Sequence, residues 1–268
     1  MRDAIYIYLR YVGVSLRSQM QYRASFVMLS FGHFVSCGVE ALGVVAMFHR
    51  FGTIDGWTLP EVALFYGMIH IAMAFGESFG RGFDTCPALI KSGDFDRLLL
   101  RPRSTALQVA AREVQLMRVG RLTQGLIVLL IAANSLQVEW TLARVALLLF
   151  AIVGGACLFV GLFAVQAIMA FWTTESLELI NTVTYGGTDT AQYPLSIYDQ
   201  WFQRFFTFVV PLACVSYFPA LAILGRHDEA LGAPDPFLWI APSIGVLFLV
   251  LMMQVWRLGV RHYRSTGS

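Results

Sequence analysis

Six long apolar runs, at about 24–48, 60–80, 114–133, 142–171, 203–224 and 238–257, constrain this chain more than any single motif. A helix of roughly 20 apolar residues crosses the ~30 Å hydrocarbon layer of a bilayer. The chain is 57% hydrophobic and only 13% charged, whereas ordinary soluble domains carry about 25% charged residues. One soluble core of this length could not hide so much apolar surface. The expected fold class is therefore all-α: a polytopic membrane protein with six transmembrane helices. In the third run Arg118 and Arg121 shorten the apolar stretch and are expected to snorkel to the interface. The fourth run is longer than a crossing needs and is expected to tilt.

Two segments divide the chain, residues 1–23 and 24–268. In the first, Asp3, Arg10, Arg17 and Gln21 fall on one side of a helix, as in an amphipathic helix lying in the membrane interface. The alternative is a cytosolic helix packed on its own protein. Arginines inside the stretch argue against a cleavable signal peptide. With the N-terminus inside, all but three of the 19 Lys and Arg residues fall in the inside segments 1–23, 81–121, 172–204 and 258–268 or, for Arg257, at the last boundary. Arg50, Arg144 and Arg226 are left outside. The positive-inside bias puts both termini in the cytoplasm, and the expected location is a bacterial plasma membrane. The outside loops, 49–59, 134–141 and 225–237, leave no room for a soluble catalytic domain. The cysteines (Cys37, Cys86, Cys157, Cys214) are far apart and no CxxC or HExxH occurs, so neither a disulfide framework nor a metal site is expected.

Between the second and third runs lies a charged insert, 81–113, whose center reads CPALIKSGDFDRLLLRPRS and holds the only lysine, Lys91. Pro87 suits the first turn of a short helix, and Ser92-Gly93 suits its end. Asp94 is then a candidate N-cap for a second helix with Asp96 near its positive end, and Pro102 stops it. Phe95, Leu98 and Leu99 are expected to form an exposed apolar ridge, bordered by Asp96, Arg97, Arg101 and Arg103. Composition leaves two uses open: the insert rests on the membrane surface, or its ridge fills a groove on a cytosolic partner.

The run Gly93-Asp94-Phe95-Asp96-Arg97-Leu98-Leu99-Leu100-Arg101-Pro102 resembles the signature loop of ABC transporter type-2 permeases, closest to their drug- and antibiotic-export-like subgroup. Tyr193-Pro194-Leu195-Ser196-Ile197-Tyr198, Thr207-Phe208-Val209-Val210-Pro211, Tyr217-Phe218-Pro219-Ala220 and Leu224-Gly225-Arg226 are similar to the same subgroup. So is Gly259-Val260-Arg261-His262-Tyr263-Arg264-Ser265-Thr266-Gly267. The resemblance implies six spans, an interface helix and a cytosolic coupling helix that docks into a separate ATPase subunit, two copies of which are expected. It also implies a second permease subunit, either a copy or a homologous sibling. The family often carries re-entrant helices before the last span, whereas 225–237 is too short for much of one, which puts a gate built that way in doubt.

A P-loop needs lysine in GxxxxGK[ST], and the single lysine follows Ile90. No cofactor is expected on this chain; ATP and Mg would sit on the partner. Nucleic acid is not an expected partner, the lipid bilayer is. The function expected is the permease subunit of an ATP-binding-cassette exporter moving an amphipathic small molecule, lipid or peptide. The alternative is an ion-coupled secondary transporter using Glu40 and Glu77; no catalytic residue is indicated. Ionisable groups in hydrocarbon are functional suspects. Glu40 shares a helical face with Gly32 and Ser36, beside His33 and Cys37, and is read either as lining a cavity for a cationic substrate or as a buried interhelical hydrogen bond. His70, Ala74 and Glu77 form a second stripe, with Glu77 expected to pair with Arg81 four residues on. The candidate pathway residues are thus His33, Ser36, Glu40, His70 and Glu77.

Overall fold

The computed structural model describes residues 2–173, 177–228 and 230–263, and the described residues form no β-strand. Among the described residues thirteen α-helices follow in order: α1 Arg2–Gln21, α2 Arg23–Phe51, α3 Leu59–Asp84, α4 Cys86–Lys91, α5 Phe95–Leu99, α6 Thr105–Arg112 and α7 Val119–Ser135. Then come α8 Leu142–Met169, α9 Leu177–Ala191, α10 Gln200–Arg204, α11 Tyr217–Leu224, α12 Asp235–Ile240 and α13 Ser243–His262. Among the described residues, five helical segments are long and apolar enough to cross a membrane: Arg23–Phe51, Leu59–Lys91, Leu116–Ser135, Leu142–Met169 and Ser243–His262. The chain is an all-α polytopic membrane protein.

Helix α3 is the center of the bundle, flanked by α7 and α8, with α13 on the far side of α8 and α2 against α7. Its start is fixed by a capping box: Glu61 accepts from the backbone N–H and hydroxyl of Thr58, both at 2.8 Å. Small residues let its neighbours close in. A Cβ at Gly67 would collide with Leu129 of α7, and one at Gly76 with Phe159 of α8, so bulkier residues would hold these helices apart. The ends of the bundle differ. One, the insert end, carries α4–α6 and the last turn of α13. The other, the loop end, carries the α2–α3 and α7–α8 connections and α12.

The fifth apolar run is not the fifth crossing. Helix α8 ends at the insert end, where Phe171 packs edge-to-face against Trp256 and Phe95. Yet Ser196 accepts a hydrogen bond from Trp57 Nε1 at the loop end (3.0 Å). The chain therefore traverses the bundle between 173 and 196, on α9. The expected inside segment 172–204 is corrected: its second half lies at the loop end, and Arg204 moves with it. Residues 200–224 then form a re-entrant hairpin. It descends through α10 and a π-turn at Phe205–Val209, reverses over 210–216, and climbs back on α11. Its deepest part reaches mid-bundle, with Val215 beside Gly155, which itself abuts Ala72 of α3. Both ends are clasped at the loop end. Beyond α11, Arg226 pairs with Glu61 (2.6 Å), donates to the Gly56 carbonyl (3.3 Å) and lies over the Trp57 ring (4.3 Å).

Pro211 explains why 203–224 does not cross as one helix. The residue before proline avoids the helical region, and Val210 sits at φ −118°, ψ 93°. The freed backbone is buried among α3, α8 and α13, the setting in which non-helical chain is tolerated at membrane depth. Helix α9 is polar for a crossing, but Thr182, Thr184, Thr188 and Thr190 each return their hydroxyl to the carbonyl four residues earlier, at 2.8–3.0 Å. The re-entrant element that 225–237 is too short to hold thus exists one segment earlier.

Candidate functional site

The insert has a buried root and an exposed tip. Pro87, Leu89 and Ile90 of α4 are buried, as are Phe95 and Leu98 of α5. Gly93 takes φ +74°, a left-handed value that glycine adopts without strain, and so turns α4 into α5. Asp94 does not cap α5 as expected. Its carboxylate accepts from Ser92 Oγ (3.1 Å) and pairs with Arg97 (3.2 Å). The expectation of an exposed Phe95–Leu98–Leu99 ridge is corrected for its first two members. Phe95 is fully buried in an aromatic cluster, with ring centroids 4.9 Å from Tyr263, 5.3 Å from Phe171 and 6.3 Å from Trp256. Trp256 in turn meets Phe83 at 5.3 Å. Leu99 and Leu100 (85% exposed) are the apolar residues left outside, next to exposed Arg97, Arg101 and Pro102 and half-buried Asp96. Gln108 of α6 braces the insert by donating to the Leu98 and Arg103 carbonyls (3.1 and 3.2 Å).

The cluster joins the insert to three crossings at once: α3 through Phe83, α8 through Phe171, α13 through Trp256 and Tyr263. Aromatic pairs of this kind add about 0.5–1.5 kcal/mol each beyond area burial.

Deeper in, Glu77 is 1% exposed and lies 3.2 Å from Arg118 and 3.3 Å from Arg121. Its expected pairing with Arg81 is corrected: Arg81 pairs with Asp84, lies 4.0 Å from Glu113, and donates to the Tyr185 hydroxyl of α9 (3.3 Å). Nor do Arg118 and Arg121 snorkel; their guanidiniums turn inward onto the buried Glu77 carboxylate. Arg118 also reaches His33 Nδ1 (3.4 Å) and Gln115 (3.2 Å), and Gln115 donates to Glu113 (2.8 Å). The network links α2, α3, α7 and the connection before α7.

Above it, Cys37, Glu40 and His70 place their donor atoms within 4.8 Å of one another. His70 lies 4.0 Å from Glu40 and 3.3 Å from Gln192 Oε1, with the Tyr66 ring stacked on it at 3.9 Å. Tyr66 donates to the Cys37 carbonyl (2.7 Å). The spacing is within a metal ion's compass, but the Arg121 guanidinium beside Cys37 disfavors a cation. Gly32, Ser36 and Glu40 lie on an open face of α2, and Asp189 of α9 is exposed within electrostatic reach of Glu40. So the expected stripe is brought together with Arg118, Arg121, Asp189 and Gln192, which sequence reasoning left out. A signal for the first two was present: two arginines three apart in an apolar run either snorkel or meet a buried counter-charge.

A family model described as ABC-2 family transporter protein matches residues 34–267. The chain belongs to this family. No curated protein and no solved structure matches it. An ABC-2 permease is the membrane component of an ABC transporter and is not itself catalytic, and the family implies association with an ABC ATPase subunit. The match runs from within α2 past α13, so the insert and the hairpin lie within it, as do the ion network and the open face apart from His33 and Gly32, which just precede it.

Proposed function

We propose that this chain is the permease subunit of an ATP-driven exporter, in a bacterial plasma membrane, that moves an amphipathic small molecule, lipid or peptide. In this reading both termini and the insert face the cytoplasm. Two copies of a separate ATPase subunit, carrying ATP and Mg, bind the insert tip on each of two permeases. The second permease is a copy or a sibling packed on the open face of α2 and α9. The carrying observation is the insert's division into an exposed tip and a root fixed by aromatic rings to α3, α8 and α13. Closure of the ATPases pushes the tip, and the three helix ends move as a body, a bistable repacking rather than chemistry on this chain. Glu40, Ser36 and Asp189 would line the path of an amphipathic passenger. The hairpin, hung from the Trp57–Arg226 clasp, would close the loop end.

The test is a paired substitution at the tip, Leu99→Asp with Leu100→Asp, in the assembled transporter. ATPase co-purification and ATP-dependent vesicle transport should both be lost while membrane insertion is retained. Transport that continues without ATP but collapses with an uncoupler would overturn the reading in favor of an ion-coupled transporter.

A further inference from the structure

An apolar groove of about 850 Å³ opens on the flank of the bundle between α3, α6 and α13. Phe79, Phe83, Leu107, Val160, Leu249 and Met253 are among the side chains that wall it. At the insert end its mouth carries three arginines on two elements: Arg103, just before α6, and Arg257 and Arg261 in the last turns of α13. All three are exposed, and among the described residues none lies within ion-pair distance of a carboxylate. The hydroxyls of Ser104 and Thr105 share the mouth. Trp256 Nε1 donates to Thr105 Oγ1 (3.0 Å), which fixes the wall between α6 and α13.

The dimensions suit one leaflet. From Leu249 to Arg261 helix α13 rises about 18 Å at ~1.5 Å per residue, close to the ~15 Å depth of half a hydrocarbon core. The groove is thus apolar for the length of an acyl chain and cationic where a headgroup would sit. Basic pockets between transmembrane helices attract anionic headgroups in this way. We propose that the groove is a binding site for an anionic phospholipid of the insert-end leaflet. Its phosphate lies among Arg103, Arg257 and Arg261, and one acyl chain lies along Phe79, Val160 and Met253. Since α6 braces the insert and Trp256 belongs to the cluster that anchors it, the bound lipid packs against the machinery that transmits force from the insert.

Native mass spectrometry tests this on the full-length chain in detergent micelles, with whatever subunits co-purify, given equal dioleoyl-phosphatidylglycerol and dioleoyl-phosphatidylcholine. At about fivefold per arginine, phosphatidylglycerol should be retained over phosphatidylcholine by roughly a hundredfold. The triple variant Arg103→Gln, Arg257→Gln, Arg261→Gln should erase the preference. The triple lysine variant, which keeps the charge, should retain most of it, and Met253→Trp, which fills the groove, should lower binding of both lipids. Equal binding of the two lipids by the unmodified chain would overturn the proposal, as would a preference that survives the glutamine variant. So would displacement of phosphatidylglycerol by equimolar glycerophosphate, which would mean a headgroup site without a chain. Crosslinking from position 253 should capture a diazirine-bearing acyl chain, and capture of a protein helix in its place would also overturn it.

Discussion

Helices α2 and α3 are both long, apolar and rich in small residues, yet 78% of the most apolar window of α3 is buried against 17% of that of α2. Hydropathy does not separate them; what meets their glycines does. In α3, Gly67, Gly76 and Gly82 are closed over by Leu129, Phe159 and the Val109 backbone, whereas nothing lies within 4 Å of a Cβ at Gly32, Gly38 or Gly43 of α2. Small residues are useful only where another helix approaches. In α3 the single chain supplies that helix, and in α2 it does not. The open face also bears Ser36 and Glu40, so α2 has the composition of a contact surface with the contact missing.

The comparison breaks most sharply at the two glutamates. Glu77→Ala leaves two inward-facing arginines with no counter-charge, and breaking a buried pair costs about 3–5 kcal/mol. The variant should be poorly expressed or melt far below the parent in a detergent thermal-shift assay. Glu40→Ala, with its side chain 43% exposed, should change the same melting curve by under about 0.5 kcal/mol while altering transport. Equal loss from both would mean that α2 is as structural as α3.

The root and tip of the insert make the same contrast at smaller scale. Phe95→Ala removes a fully buried ring, at a cost of about 3–5 kcal/mol, and should loosen Trp256 and Tyr263 together, read as a change in tryptophan emission. Leu100→Ala, on a side chain 85% exposed, should leave stability within about 0.5 kcal/mol and weaken only ATPase docking.

Much of this was legible in the sequence because the bilayer restricts the choices. Apolar length located α2, α3, α7, α8 and α13, and proline and glycine punctuation set the ends of α4 and α5 near Pro87, Gly93 and Pro102. What hydropathy misread was the pair formed by α9 and 203–224. Helix α9 crosses despite four threonines because each hydroxyl is satisfied within the helix, a fact about geometry rather than polarity. Residues 203–224 are apolar enough to cross but are bent back by Pro211 and buried by their own chain. The ridge failed for a related reason: Phe95, Leu98 and Leu99 share a face on paper, but α5 is only one turn long, and that turn presses Phe95 inward while Leu99 stays out. Glu77 was given the nearest cation in sequence, whereas the closest cations in space lie on α7 and the turn before it.

The smallest effect sharpens the comparison of α2 with α3 the most. Gly76→Val would bring a Cβ to 2.5 Å from that of Phe159, and overpacking of this kind costs about 1–3 kcal/mol. A Cβ at Gly38 in α2 has no neighbouring atom within 4 Å. In a helix interior valine is favored over glycine by only a few tenths of a kcal/mol, so the isolated chain should melt within about 0.5 kcal/mol of the parent. If a second permease closes on this face, Gly38→Val should instead shift the assembled transporter toward single permease chains in size-exclusion chromatography. A Gly38→Val chain that assembles normally would place the permease contact on another face, and α2 would then meet lipid.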